Sequence, residues 1–220
     1  MSEKINFITP LLAGVSHSID HKCLLLLQKY DTDIVAVINL CGGIPAASIT
    51  TYDLTIHSIS DSTIQCTITT DLFNAVRRIN FGIRVIFNDF LEINKEIQGN
   101  GIGTRLLCNQ VKEARIRNFR RLDVSAMGPD GTDTNWQGYY TWGRLGFEMD
   151  TADHEDLMIM LRRLKREENN LWELLLHAYG QELWRRDGFT WHGSFYLHND
   201  SQNLKWLRMY LNEKGKDYEI

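Results

Sequence analysis

The segment Gln98-Gly99-Asn100-Gly101-Ile102-Gly103-Thr104 sets three glycines between a strand-like run and a helix-like run, and this junction constrains the fold more than any other stretch. Upstream, residues 84–93 (RVIFNDFLEI) are rich in β-branched and aromatic side chains and lack Gly and Pro, which predicts a mostly buried strand. Downstream, Ile102, Leu106, Leu107, Val111 and Ala114 recur at helical spacing and predict a helix ending near Asn118. The turn therefore feeds a helix N-terminus, where the first backbone N–H groups lack intrahelical partners and the dipole favours negative charge. Glycines at 99, 101 and 103 let an anion approach those donors, and Thr104 adds a hydroxyl. Taken alone, such a turn serves backbone geometry as readily as a ligand. Its spacing excludes two familiar loops. It lacks the Gly-Lys-Ser/Thr ending of a triphosphate loop, and it does not fit the dinucleotide fingerprint.

A second pattern follows. Residues 121–127 (RLDVSAM) alternate like a strand, a loop contains Pro129, Asp130 and Gly131, and the chain then runs through Asn135, Gly138, Trp142, Leu145, Gly146 and Phe147. Gln98, Gly101 and Gly103 fill the pattern Gln/Arg-x-x-Gly-x-Gly/Ala, and the two patterns together, over residues 84–150, resemble the cofactor core of the GNAT N-acetyltransferase superfamily. The resemblance implies an α/β fold with a mixed, mostly antiparallel central sheet flanked by helices. It implies acetyl-CoA as cosubstrate, with its pyrophosphate on Gln98, Gly99, Asn100, Gly101, Ile102, Gly103 and Thr104 and its pantetheine arm near Asn135 and Trp142. Backbone amides around Leu91 and Ile93 would polarise the thioester carbonyl, an oxyanion-type contribution independent of side-chain identity.

One position departs from the family. Its members commonly place a Tyr four residues before the Gly of Leu-Gly-Phe to protonate the departing thiolate, and this chain has Trp142 there. An indole N–H donates a hydrogen bond but is no useful acid. Tyr139 and Tyr140 are the nearby phenols, and Glu92 or Asp89 is the candidate base for the amine. The same departure leaves open a catalytically silent module that keeps the CoA site or only the scaffold.

The remaining sequence speaks to organisation. Residues 34–40 read as a strand, 50–57 and 63–69 as a hairpin, and Asp71 as the cap of a short helix through Arg78. From Asp153 or Thr151 a long helix is expected towards Trp184, broken at Asn169-Asn170 or Gly180; then a strand or hairpin over 189–197 and a helix from a Ser201 cap through Leu211. We expect a core over residues 1–150 and a helical, aromatic-rich extension over 151–220, packed on the core or offered to a partner or second copy.

With 43% hydrophobic and 24% charged residues the chain can bury a substantial core, and a net charge of −4 gives no field for nucleic acid. Cys23, Cys41, Cys66 and Cys108 show no Cys-x-x-Cys spacing, and of the seven histidines His17 and His21 alone are spaced His-x-x-x-His; no metal site is expected. His192 stands out only for its aromatic neighbours. No apolar run resembles a signal peptide or a membrane span, which with the cysteine pattern fits a reducing cytoplasm.

Overall fold

The computed structural model describes residues 16–45, 52–128 and 137–220. They form two compact units, one comprising residues up to Arg120 together with Asp217–Ile220, the other Arg121–Lys216. Asn135 and the loop around Pro129 lie outside the described residues.

In the first unit, five strands pair in chain order: β1 (Ser16–Ile19), β2 (Tyr52–Ser60), β3 (Thr63–Thr70), β4 (Phe73–Asn80) and β5 (Val85–Ile93). The β1–β2 pair is parallel and the other three are antiparallel. Strict alternation explains the sheet. Leu54, Ile56, Ile64, Cys66, Ile68, Ala75 and Ile79 are buried on one face, while Asp53, Thr55, Gln65, Thr67 and Arg78 take the other. Helices α1 (His21–Lys29), α2 (Ile34–Leu40) and α3 (Ile102–Ile116) belong to the same unit, and α2 and α3 pack together. Their buried Leu26, Val37, Ile38, Leu40, Leu107 and Val111 contribute about 1.5–3 kcal/mol each by leaving water.

Two sequence expectations fail here. Residues 34–40 are helix α2, because the Asp33 side chain accepts from the Ala36 amide at 2.7 Å and starts a helix. Residues 73–80 are strand β4, because the Thr70 hydroxyl accepts from the Leu72 and Phe73 amides and turns the chain back into an antiparallel ladder.

The second unit carries β6 (Arg121–Ala126), β7 (Glu148–Met149) and β8 (Trp191–Tyr196), with β8 antiparallel to both others. Around them lie α4 (Gly138–Arg144), α5 (Thr151–Arg163), α6 (Leu171–Leu175), α7 (Ala178–Asp187) and α8 (Gln202–Glu213). The expected long helix is thus three helices. Asp150 caps the first, Asn170 caps the second, and Gly180 lies inside the third. Ser201 does cap α8, accepting from Leu204 at 3.2 Å. The interior is aromatic: Phe147 meets Trp142 edge-on at 5.0 Å and Phe195 at 5.3 Å, and Trp172 lies 5.4 Å from Trp206. Gly146 has φ +94°, and a Cβ there would come 2.9 Å from the Asn203 carbonyl, so the glycine of Leu-Gly-Phe lets α8 approach.

The fold is therefore α/β with mixed, mostly antiparallel strands, flanking helices and a C-terminal helix. Among the described residues no helix is long and apolar enough to cross a membrane.

Candidate functional site

In the first unit, strand β5, the glycine turn and α3 follow one another as the sequence predicts. After β5 the Asn94 side chain accepts from the Glu96 amide, a single 3-10 turn spans Lys95–Ile97, and the chain reaches the glycines. The Gln98 side-chain amide donates to the Ile93 carbonyl at 2.9 Å and ties the turn to the end of the strand. Gly99 and Gly101 have φ of +84° and +81°. Gly101 is the N-cap of α3 with no side-chain cap, so the amides of Ile102, Gly103 and Thr104 open the helix without a capping oxygen. A Cβ at Gly99 or Gly103 would meet nothing within 4 Å, and Asn100 is exposed. The uncapped donors thus lie at the positive end of a helix dipole, beside the exposed Gly99 and Asn100.

A second layer of the same unit was not read from the sequence. Tyr218 lies against this first turn: its hydroxyl accepts from Arg105 Nε at 2.8 Å and comes within 3.9 Å of where a Gly101 Cβ would stand. Lys112 pairs with Glu219 further along α3. A tyrosine at the far end of the sequence carries no local signal of such a contact.

Glu92 stands on the outer face of β5, and a bulge puts it there. Asn88 pairs with Arg77 and Phe90 with Val76, leaving Asp89 as the extra residue. Before the bulge Ile86 and Asn88 face the helices, where Gln110 of α3 donates to Asn88 at 2.9 Å; beyond it Leu91 and Ile93 pair with the inward Ala75 and Phe73. Glu92 therefore lies opposite Asn74, whose side-chain amide donates to it at 3.5 Å. In an unbulged strand it would point at the helices. Asp89, the other candidate base, is held by the Arg78 guanidinium at 2.6 and 2.7 Å.

The remaining candidates lie in the second unit. Tyr139 is built into its interior, 6% exposed. Its hydroxyl donates to the Arg185 carbonyl at 2.7 Å, its own carbonyl accepts from the Trp184 and Trp191 indoles, and burial raises the phenol above its ordinary range. Tyr140 is half-buried, with its hydroxyl 3.2 Å from Gln181 Oε1 and the Arg185 guanidinium 4.2 Å over its ring. Trp142 and Phe147 meet edge to face. His192 and its amide both meet Asp153, whose carboxylate, with that of Asp150 and the His192 ring, gathers donor atoms within 4.8 Å on the surface. Mutual hydrogen bonds and the capping of α5 account for that cluster.

No protein-family model matches the sequence, and no curated protein matches it. A solved acetyltransferase matches the structure. It is nourseothricin acetyltransferase, with a TM-score of 0.35 at 15% sequence identity over 62% of this chain. The matched part spans 66% of that enzyme's length, and its acceptor is a property of that enzyme.

Chemically, the first unit offers an uncapped helix N-terminus at α3, an exposed carboxylate at Glu92 and the backbone of Leu91–Ile93 on one short stretch of chain. The second offers two phenols in different states of burial.

Proposed function

We propose that this protein is an acetyl-CoA-dependent N-acetyltransferase acting by direct attack of a primary amine on the thioester. The observation that carries the reading is the turn itself: the Gln98-x-x-Gly101-x-Gly103 pattern sits at an uncapped helix N-terminus and is tied by Gln98 to the end of β5. Residues 98–104 hold the pyrophosphate. Amides of Leu91 and Ile93 polarise the carbonyl and Glu92 takes a proton from the amine, while the thiolate leaves with the CoA and is protonated there. Forming the C–N bond breaks the C–S bond, so the products are the acetamide and CoA.

A catalytically silent CoA-binding module is the second reading. Trp142 favours it, since an indole at the acid position donates a hydrogen bond without giving up a proton.

Thermal unfolding with acetyl-CoA, free CoA and ATP as polyanion control tests both. At a ligand concentration about 100 times the dissociation constant, linkage adds roughly 2.7 kcal/mol. For a chain of this length that is a Tm rise of about 5–10 °C. A shift with both CoA species and little with ATP supports a CoA site, and turnover of an amine then separates enzyme from module. No shift at saturating ligand rejects the acetyltransferase and the CoA-binding module alike and leaves a scaffold with another task, such as protein interaction.

A further inference from the structure

Two adjacent arginines of β4 grip the β5 bulge from opposite faces of the sheet. On the inner face, Arg77 is 2% exposed, and its Nη1 donates to the Phe90 carbonyl and, at 3.1 Å, to the Val76 carbonyl. Burial pulls this guanidinium down to about 10, so it remains a cation at neutral pH, and its Nε has no partner. On the outer face, Arg78 closes a two-bond fork on the Asp89 carboxylate at 2.6 and 2.7 Å and lies 4.8 Å over the Phe87 ring. One arginine thus holds a main-chain oxygen of the bulge and its neighbour holds the side chain of the extra residue.

Burying a guanidinium is costly, and an apolar side chain would fill the inner position at lower cost. What arginine supplies there is one donor shared by the Phe90 and Val76 carbonyls, the two main-chain oxygens that flank the bulge across the β4–β5 ladder. The bulge it stabilises decides the facing of every residue from Asp89 to Ile93.

We propose that Arg77 and Arg78 are positioning residues for the thioester carbonyl. By locking the Asp89 bulge they fix the direction of the Leu91–Ile93 amides and keep Glu92 on the outer face. The inference rests on the acetyltransferase reading for its function, while the clamp itself is testable without ligand.

The experiment uses the full chain with Arg78→Gln, Asp89→Asn and the double variant, and Arg77→Lys as the inner-face probe. Arg78→Gln and Asp89→Asn change exposed or half-exposed groups, so folding is retained even if Arg77→Lys fails to fold. In the ligand-free protein, amide hydrogen exchange at Leu91–Ile93 is expected to accelerate about tenfold, equivalent to roughly 1.4 kcal/mol, with β2–β3 amides unchanged. Binding is then measured for acetyl-CoA and for free CoA, which lacks the carbonyl. Each single variant should weaken acetyl-CoA by on the order of tenfold while leaving CoA affinity in place, and the double variant should be no worse than either single one. A general loss of stability would move both ligands together. Unchanged exchange in Arg78→Gln and Asp89→Asn overturns the clamp. Accelerated exchange with an unchanged acetyl-CoA to CoA ratio overturns its positioning role. A wild-type protein that binds neither ligand overturns the acetyltransferase reading and the positioning role together, and the exchange result still decides the clamp.

Discussion

Asp20 serves two elements with one carboxylate. Its oxygens accept from the Cys23 amide at 2.6 Å, capping α1, and from the Ser58 amide of β2 at 2.7 Å. The Cys23 bond, followed by the Ser58 bond, lowers its pKa below the ordinary 3.8. A carboxyl depressed in the folded state contributes stability that is present above its unfolded pKa and is lost as pH falls through the folded value. Asn at this position keeps one acceptor oxygen and puts an amide NH2 against the second donor. We expect Asp20→Asn to cost about 1 kcal/mol at pH 7, in the range of lost helix caps. Urea unfolding should show that difference narrowing below about pH 4, as the wild-type carboxyl protonates. A difference that stays constant down to pH 3 would assign the effect to packing rather than to charge.

At the scale of elements, Asn203 is the counterpart of that carboxylate. It is buried on α8, donates to the Gly146 carbonyl at 2.8 Å and the Ser194 carbonyl at 3.2 Å, and accepts from the Tyr196 amide at 3.1 Å. Asn203→Ala leaves three backbone groups without their partner, and we expect about 3 kcal/mol of destabilisation. Calorimetry would register this as a Tm lower by roughly 6–12 °C. Contacts of this kind mark the boundary of what was legible in the sequence. Period-two alternation in 63–69 and 121–127 and the helical stripe of α3 are local patterns, and they came through as β3, β6 and α3. The run 34–40 is buried along most of its length, so its composition could not separate strand from helix, and the Asp33 cap decided it. Residues 73–80 show the cost of a wrong element: taken as a helix, the stretch hides Arg77 on an inner-facing strand position, and with it the bulge that orients Glu92. The glycine turn was visible because its requirements are written in adjacent residues. Its contact with Tyr218 was not, because nothing in the spacing of the chain brings residue 218 to residue 105.

For the molecule as a whole, the division into units separates its optical probes. The sequence's six tryptophans run from Trp136 to Trp206, and the five among the described residues lie within the unit formed by Arg121–Lys216. Indole fluorescence therefore follows that unit, whereas far-UV circular dichroism follows both. Tyr218→Phe removes the acceptor of Arg105 in the other unit, a loss of about 1 kcal/mol. We expect the dichroism midpoint in urea to fall while the fluorescence midpoint stays in place; a common shift of both would mean that the two units unfold as one. The contact that makes this possible also sets an order of events during synthesis. Arg105 and Tyr218 are 113 positions apart, with the whole of the second unit between them in the chain. At a ribosome adding about 5–20 residues per second, the first turn of α3 waits roughly 5–20 s for its tyrosine. During that interval the nascent chain displays the open glycine turn with Arg105 ungripped, so the turn is complete only after the tryptophan-rich unit has left the ribosome.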